Sequence, residues 1–65
     1  MNVYIIFKAE KWEGGWIVSV HQNYISARQR LEEEAKKLRG RKKWNGDYVE
    51  CECDYIELQA HRVEY

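Results

Sequence analysis

WIVSVHQNYISARQRLEEEAKKL, residues 16–38, changes its hydrophobic period part-way along, and the fold class follows from where it does so. Over the first six residues apolar side chains alternate with others. Trp16, Val18 and Val20 share one face of a strand, with Ile17, Ser19 and His21 on the other. From Tyr24 onward, Tyr24, Ala27, Leu31, Ala35 and Leu38 recur at intervals of 3, 4, 4 and 3, the single stripe of an amphipathic helix. Arg28, Arg30, Glu32, Glu33, Lys36 and Lys37 fall mostly outside that stripe. Asn23 is placed to cap the helix, although Ser26 with Gln29 three residues later offers a competing capping box. Gly40 is the stop signal, so the spacing predicts a helix over 24–39.

The flanks read as strands. VYIIF at residues 3–7 is short and β-branched, with Val3, Ile5 and Phe7 on one face and Tyr4 and Ile6 on the other. KAEKWEGGW, residues 8–16, holds the adjacent glycines Gly14 and Gly15 and reads as the turn of a hairpin joining that strand to the next. Beyond the helix, DYVECECDYIELQAHRVEY alternates again: Val49, Cys51, Cys53 and Tyr55 on one face, Glu50, Glu52 and Asp54 on the other. The apolar phase slips at Tyr55–Ile56, which calls for a bulge, a bend or a break between two strands. The expected fold is a single α+β domain over residues 1–65: a small ββαβ(β) unit whose antiparallel sheet is covered on one face by a single helix, with the third strand beside the first.

One helix cannot cover both sides of a sheet. If Val3, Ile5, Phe7, Trp16, Val18 and Val20 face it, then Tyr4, Ile6 and Ile17 are left as a recognition patch or a seat for a second copy.

Bulk composition limits the function classes. A chain of 65 residues, 45% apolar with nine aromatic residues but 34% charged and with no net charge, folds around a thin core that partner chains would help to stabilise. No apolar run is long enough to span a bilayer, and MNVYIIFKAE lacks the basic, apolar and small-residue regions of a signal peptide. A cytoplasmic protein without membrane contact is expected. The initial Met1 and the lack of low-complexity sequence suggest a complete small gene product. Cys51 and Cys53, two apart on a strand, are too close to bridge without strain and are expected to stay reduced.

Within KKLRGRKKW, residues 36–44, six positive charges occupy eight positions. Lys36, Lys37 and Arg39 suit the negative end of the helix dipole, and Glu32 to Lys36 and Glu33 to Lys37 are favourable i, i+4 pairs. Arg41, Lys42 and Lys43 lie beyond the helix. With Trp44 behind them they could form a phosphate-binding loop with one stacking ring. The acidic strand with Glu50, Glu52 and Asp54 reads as an edge strand protected by charge, or as a surface that orients a protein partner. Trp12, Trp16, Trp44 and Tyr4 are the residue types enriched at binding hot spots.

Catalytic and metal patterns are weak. Cys51, Cys53, His21 and His61 lack the paired spacing of a zinc site. Ser19 and Ser26 have no motif around them, the cysteines have no neighbouring cation, and Gly14–Gly15 precedes no helix that would make it a phosphate loop. Neither a metal, a cofactor nor an enzymatic activity is expected.

MNVYIIFKAE, the glycine turn, GWIVSVHQNY leading straight into ISARQRLEEEAKKL, and the closing YVECECDYIEL resemble the small ββαβ proteins encoded by bacteriophages and prophages. The resemblance implies a viral protein that binds a host protein, as inhibitors of restriction, CRISPR or other defence machinery do. The expectation is therefore a protein-binding module, an inhibitor or modulator able to act as a homodimer, using Trp12, Trp16, Trp44, Tyr4, Glu50, Glu52 and Asp54. The alternative is a nucleic-acid-binding protein using Lys36, Lys37, Arg39, Arg41, Lys42 and Lys43.

Overall fold

In the computed structural model, which describes residues 1–63, the chain runs β1 (Asn2–Glu10), β2 (Gly14–His21), α1 (Tyr24–Lys36), β3 (Lys43–Asn45), β4 (Tyr48–Glu50) and β5 (Asp54–Arg62). The five strands form one antiparallel sheet in the order β2-β1-β5-β4-β3, with α1 packed on one face. This is the expected small α+β domain. The strand beside the first is the last one, β5, at the centre of the sheet, and not the expected third strand, whose residues 48–50 form β4 one place further out.

Local chemistry accounts for the helix boundaries. The Asn23 side-chain oxygen accepts hydrogen bonds from the backbone N–H groups of Ile25 and Ser26, at 2.7 and 3.2 Å, which makes Asn23 the N-cap. The helix ends at Lys36, three residues short of expectation. The N–H groups of Lys37 and Leu38 bond back three residues, to Glu34 and Ala35, tightening the last turn before Gly40 takes φ +91°. Leu38 is still buried, so the hydrophobic stripe outlasts the helix.

Two features of the sheet differ from the sequence reading. Residues 43–45 form the edge strand β3, joined to β4 through Gly46 and Asp47, with Gly46 at φ +61°. The acidic C-terminal segment also divides: Cys51–Cys53 is a bend between β4 and β5, closed by the Cys51 N–H bonding the Asp54 carbonyl at 2.9 Å. The apolar phase slip is therefore a break between two strands. Because the bend resets the alternation, Val49, Cys51, Cys53 and Tyr55 do not share a face; Cys51 is buried and Cys53 exposed.

The core lies between α1 and the sheet. Ile6, Leu31, Val49 and Ile56 are fully buried, joined by Ala27, Ala35, Leu38 and Cys51, with Tyr4, Val18 and Leu58 packed at the margin. This corrects the expected facing of β1. Tyr4 and Ile6 point to the helix, while Val3, Ile5 and Phe7 point away from it.

Alternation alone could not choose, since β1 is apolar on both sides. The neighbours decide: Ile6 is paired with Leu58, next to Ile56 and Val49, and these present the larger continuous apolar surface to Leu31. A bulge follows in β2, where the register slips so that Ile6 faces Ser19 but Phe7 faces Ile17. It lets Val18 join the core while Ile17 and Val20 both stay on the far side.

Candidate interaction surfaces

Among the described residues, no second layer packs on the sheet face away from α1. Pairing places Val3, Ile5, Phe7 and Ala9 of β1, Ile17 and Val20 of β2, Tyr55, Glu57, Gln59 and His61 of β5, and Tyr48 and Glu50 of β4 on it. Ile17 and Val20 are each 57% exposed.

The face has internal order. Tyr55 meets Phe7 and Tyr48 with ring centroids 6.4 and 5.5 Å apart. A Cβ on Gly15 would lie 2.6 Å from the Phe7 ring, so the missing side chain lets that ring settle across β2. Along β5 a polar row runs Glu57–Gln59–His61: the Gln59 amide donates to Glu57 at 2.6 Å, and its oxygen lies 2.9 Å from His61 Nε2. Tyr48 donates its hydroxyl to Glu50 at 3.2 Å, and burial followed by that hydrogen bond raises its pKa above the ordinary tyrosine value.

A second surface lies on the other side of the sheet, where α1 meets β3. Glu32, Ala35, Lys36, Lys42 and Trp44 line an open groove of about 330 Å³. Trp44 reaches it because its position opposite Val49 puts the ring on the helix side of the sheet. Arg28 fixes the ring, its guanidinium carbon 4.9 Å from the centroid. The same guanidinium donates to the Gly46 carbonyl and the Asp47 carboxylate, both at 3.0 Å. Tyr24 also donates to Asp47, at 2.8 Å, and that hydrogen bond is the main cause of its raised pKa.

Charge around this groove is uneven. Arg28 is paired with Asp47 and Glu32, and Arg30 and Lys37 are paired with the buried Glu34. Among the described residues, no carboxylate oxygen lies within 4.0 Å of the side-chain cationic nitrogens of Lys36, Arg39, Arg41, Lys42 or Lys43, although Lys43 is paired across β3–β4 with Glu50 on the open face. The i, i+4 pairs expected for Lys36 and Lys37 are absent, since Lys37 turns to Glu34 and Lys36 opens on the groove.

The remaining candidates are dispersed. Trp12 stands 90% exposed at the β1–β2 turn; Trp16 is on edge strand β2 with the Lys8 ammonium 5.8 Å above its ring; Trp44 is on the opposite edge. The three tryptophans therefore make no common patch. Tyr4 is half-buried, edge-on to Tyr24 at 5.7 Å, and belongs to the margin of the core.

Glu50 is on the open face, Glu52 is exposed in the 51–53 bend, and Asp54 starts β5 opposite Glu10. The expected edge strand with a single acidic face is thus replaced by carboxylates split between a central strand, a bend and β4. His21 bridges Ser19 and Ser26 at 2.8 and 2.9 Å, while His61 lies on the open face. Among the described residues, no three His, Cys, Asp or Glu side chains are grouped as a metal would require, and no helix is long and apolar enough to cross a membrane.

The sequence reading missed Ile5, Phe7, Val20, Tyr48 and Tyr55 as one surface, and Arg28 as the partner of Trp44. Alternation signalled that two faces existed, but nothing in it named the covered one. Compared with family models, curated proteins and solved structures, the chain matches none.

Proposed function

We propose that this chain is a non-enzymatic protein-binding module whose working surface is the open sheet face, and that this face takes a second copy of the same chain. The observation that carries the reading is the self-complementarity of the face about Gln59. On β5, Glu57 and His61 flank Gln59, and Ile5 and Val20 lie level with it in the paired strands. A two-fold axis in the plane of the sheet, perpendicular to the strands at Gln59, brings Glu57 of each copy over His61 of the other. The same operation sets Ile5 over Ile5, Val20 over Val20, and Phe7 over Val3. Apolar side chains of β1 and β2 meet apolar ones, and Glu57 meets His61.

Size and stability support the same occupant. The three long strands form a rectangle about 30 Å by 14 Å, and β4 adds to it, a footprint on the order of 500 Å² before side-chain relief, against ~800 Å² of accessible area per partner in a standard interface. Among the described residues, two of the eight that form the core cluster are alanines, so the core within one copy is thin. A second layer across the open face would supply burial that the chain lacks alone.

Sedimentation equilibrium tests this. A dimer is expected, dissociating when Ile17 or Val20 is changed to lysine, since both are exposed in the single chain and tolerate the change there. Glu57→Lys weakens the dimer, and Glu57→Lys combined with His61→Glu restores it. A chain that stays monomeric at high concentration, or a double variant no tighter than the single, would refute the second copy as occupant. The host protein suggested by the sequence would then be the partner to seek.

A further inference from the structure

We propose that the groove between α1 and β3 binds single-stranded nucleic acid, one base lying against Trp44 and the backbone phosphates held by Lys36 and Lys42. This site is on the helix side of the sheet and does not depend on the pairing of two copies. Three observations converge on it. A volume of about 330 Å³ is at the low end of ligand cavities and suits one base with its sugar. The Trp44 ring, 42% exposed, is held by Arg28, which is itself anchored to Asp47 and Gly46, so stacking on it costs little ordering. The lysines of the groove form no ion pair with a carboxylate among the described residues, and neither do Arg39 and Arg41 in the loop between them. Lys36 and Lys42 beside a fixed ring, with Arg39 and Arg41 in the loop between them, supply phosphate contacts next to a stacking platform; Lys43 lies on the other face of the sheet, opposite Glu50.

Glu32 also lines the groove, and its carboxylate is 3.6 Å from Arg28. That ion pair reduces its repulsion of phosphate and leaves an oxygen able to accept a hydrogen bond from a base N–H, such as N3–H of thymine. A duplex is disfavoured, because its bases are already stacked on one another and offer no free face to Trp44. An acidic peptide would satisfy the lysines but has no general use for the ring.

The test is fluorescence anisotropy with a labelled single-stranded oligothymidine about twelve nucleotides long. Polyglutamate and a DNA duplex of equal length serve as competitors. Binding is expected to weaken with salt, with a slope of about 0.7 for each phosphate neutralised, and to lose roughly one to two units of slope in the Lys36→Ala, Lys42→Ala double variant. Trp44→Ala weakens binding about 5- to 100-fold. Trp44→Phe, which keeps a ring and guards against misfolding, retains most of the affinity, and Trp12→Ala leaves it unchanged. The proposal is overturned if the oligonucleotide fails to bind at low salt. It is equally overturned if polyglutamate or duplex competes as well as single strand, or if both Trp44 variants bind like the parent.

Discussion

Arg28 and Trp44, on elements with no backbone pairing between them, are joined by a guanidinium lying 4.9 Å from the indole centroid. Arg28 is the central tie between the helix and the β3–β4 hairpin. It covers the ring, donates to Gly46 and Asp47, and pairs with Glu32 one turn along the helix.

Replacing Arg28 should therefore loosen the hairpin. Arg28→Ala is expected to cost about 1–2 kcal/mol, since its bonds are charge-assisted but its side chain is 30% exposed. Arg28→Lys keeps the charge and loses the planar fork, so most of that loss should remain. Urea unfolding of the three proteins measures both. Full recovery by lysine would show that charge alone matters.

Leu31 is the helix's principal contribution to the core, fully buried between Ala27 and Ala35 in the stripe. Leu31→Ala should cost about 2–5 kcal/mol, much of the roughly 3–10 kcal/mol available to a chain of this length. Ile25, on the same helix but 67% exposed, should cost under about 0.5 kcal/mol when changed to alanine. Chemical denaturation separates the two. Equal losses would mean that the core is not where Leu31 places it.

At the β1–β2 turn, Glu10 has a raised pKa, first from its side-chain hydrogen bond with Glu13, then from repulsion by that carboxylate. A carboxyl raised in the folded state binds protons more readily folded than unfolded. Its cost to stability is thus present at neutral pH and relieved as pH falls through the raised pKa. Glu13→Gln should return the Glu10 titration toward its ordinary value and flatten this part of the pH dependence. Carboxyl-detected NMR titration follows it directly. An unmoved Glu10 would assign the shift to burial and Asp54 instead.

Much of the architecture was legible in short-range pattern. The change of period after Asn23, the cap itself and the apolar Ile56-Leu58 alternation are properties of neighbouring residues, and each element they mark forms; the β1–β2 hairpin forms too, but its turn is residues 11–13, and Gly14 and Gly15, expected in the turn, open β2 instead. The strand β3 was not legible. Lys43-Trp44-Asn45 is too short to show alternation and exists because Gly46 turns it back onto β4. The candidate sites were legible as residue types only: the cations of 36–43 and Trp44 were apparent, but not that Lys36, Lys42 and Trp44 alone among them line a groove with Ala35 and Glu32.

The sequence by itself determined one helix, an antiparallel sheet and the surplus of apolar side chains that one helix cannot cover, because these depend on periodicities read within a few residues. The tertiary structure alone decided which face of β1 is buried, which carboxylates are separated and which cations are left unpaired. Val3, Ile5 and Phe7 are as apolar as Tyr4 and Ile6, so the choice was made by what pairs beside them: Leu58 and Ile56 next to Val49 on one face, Gln59, Glu57 and His61 on the other. Pairing between strands distant in sequence sets that register, and no local pattern contains it.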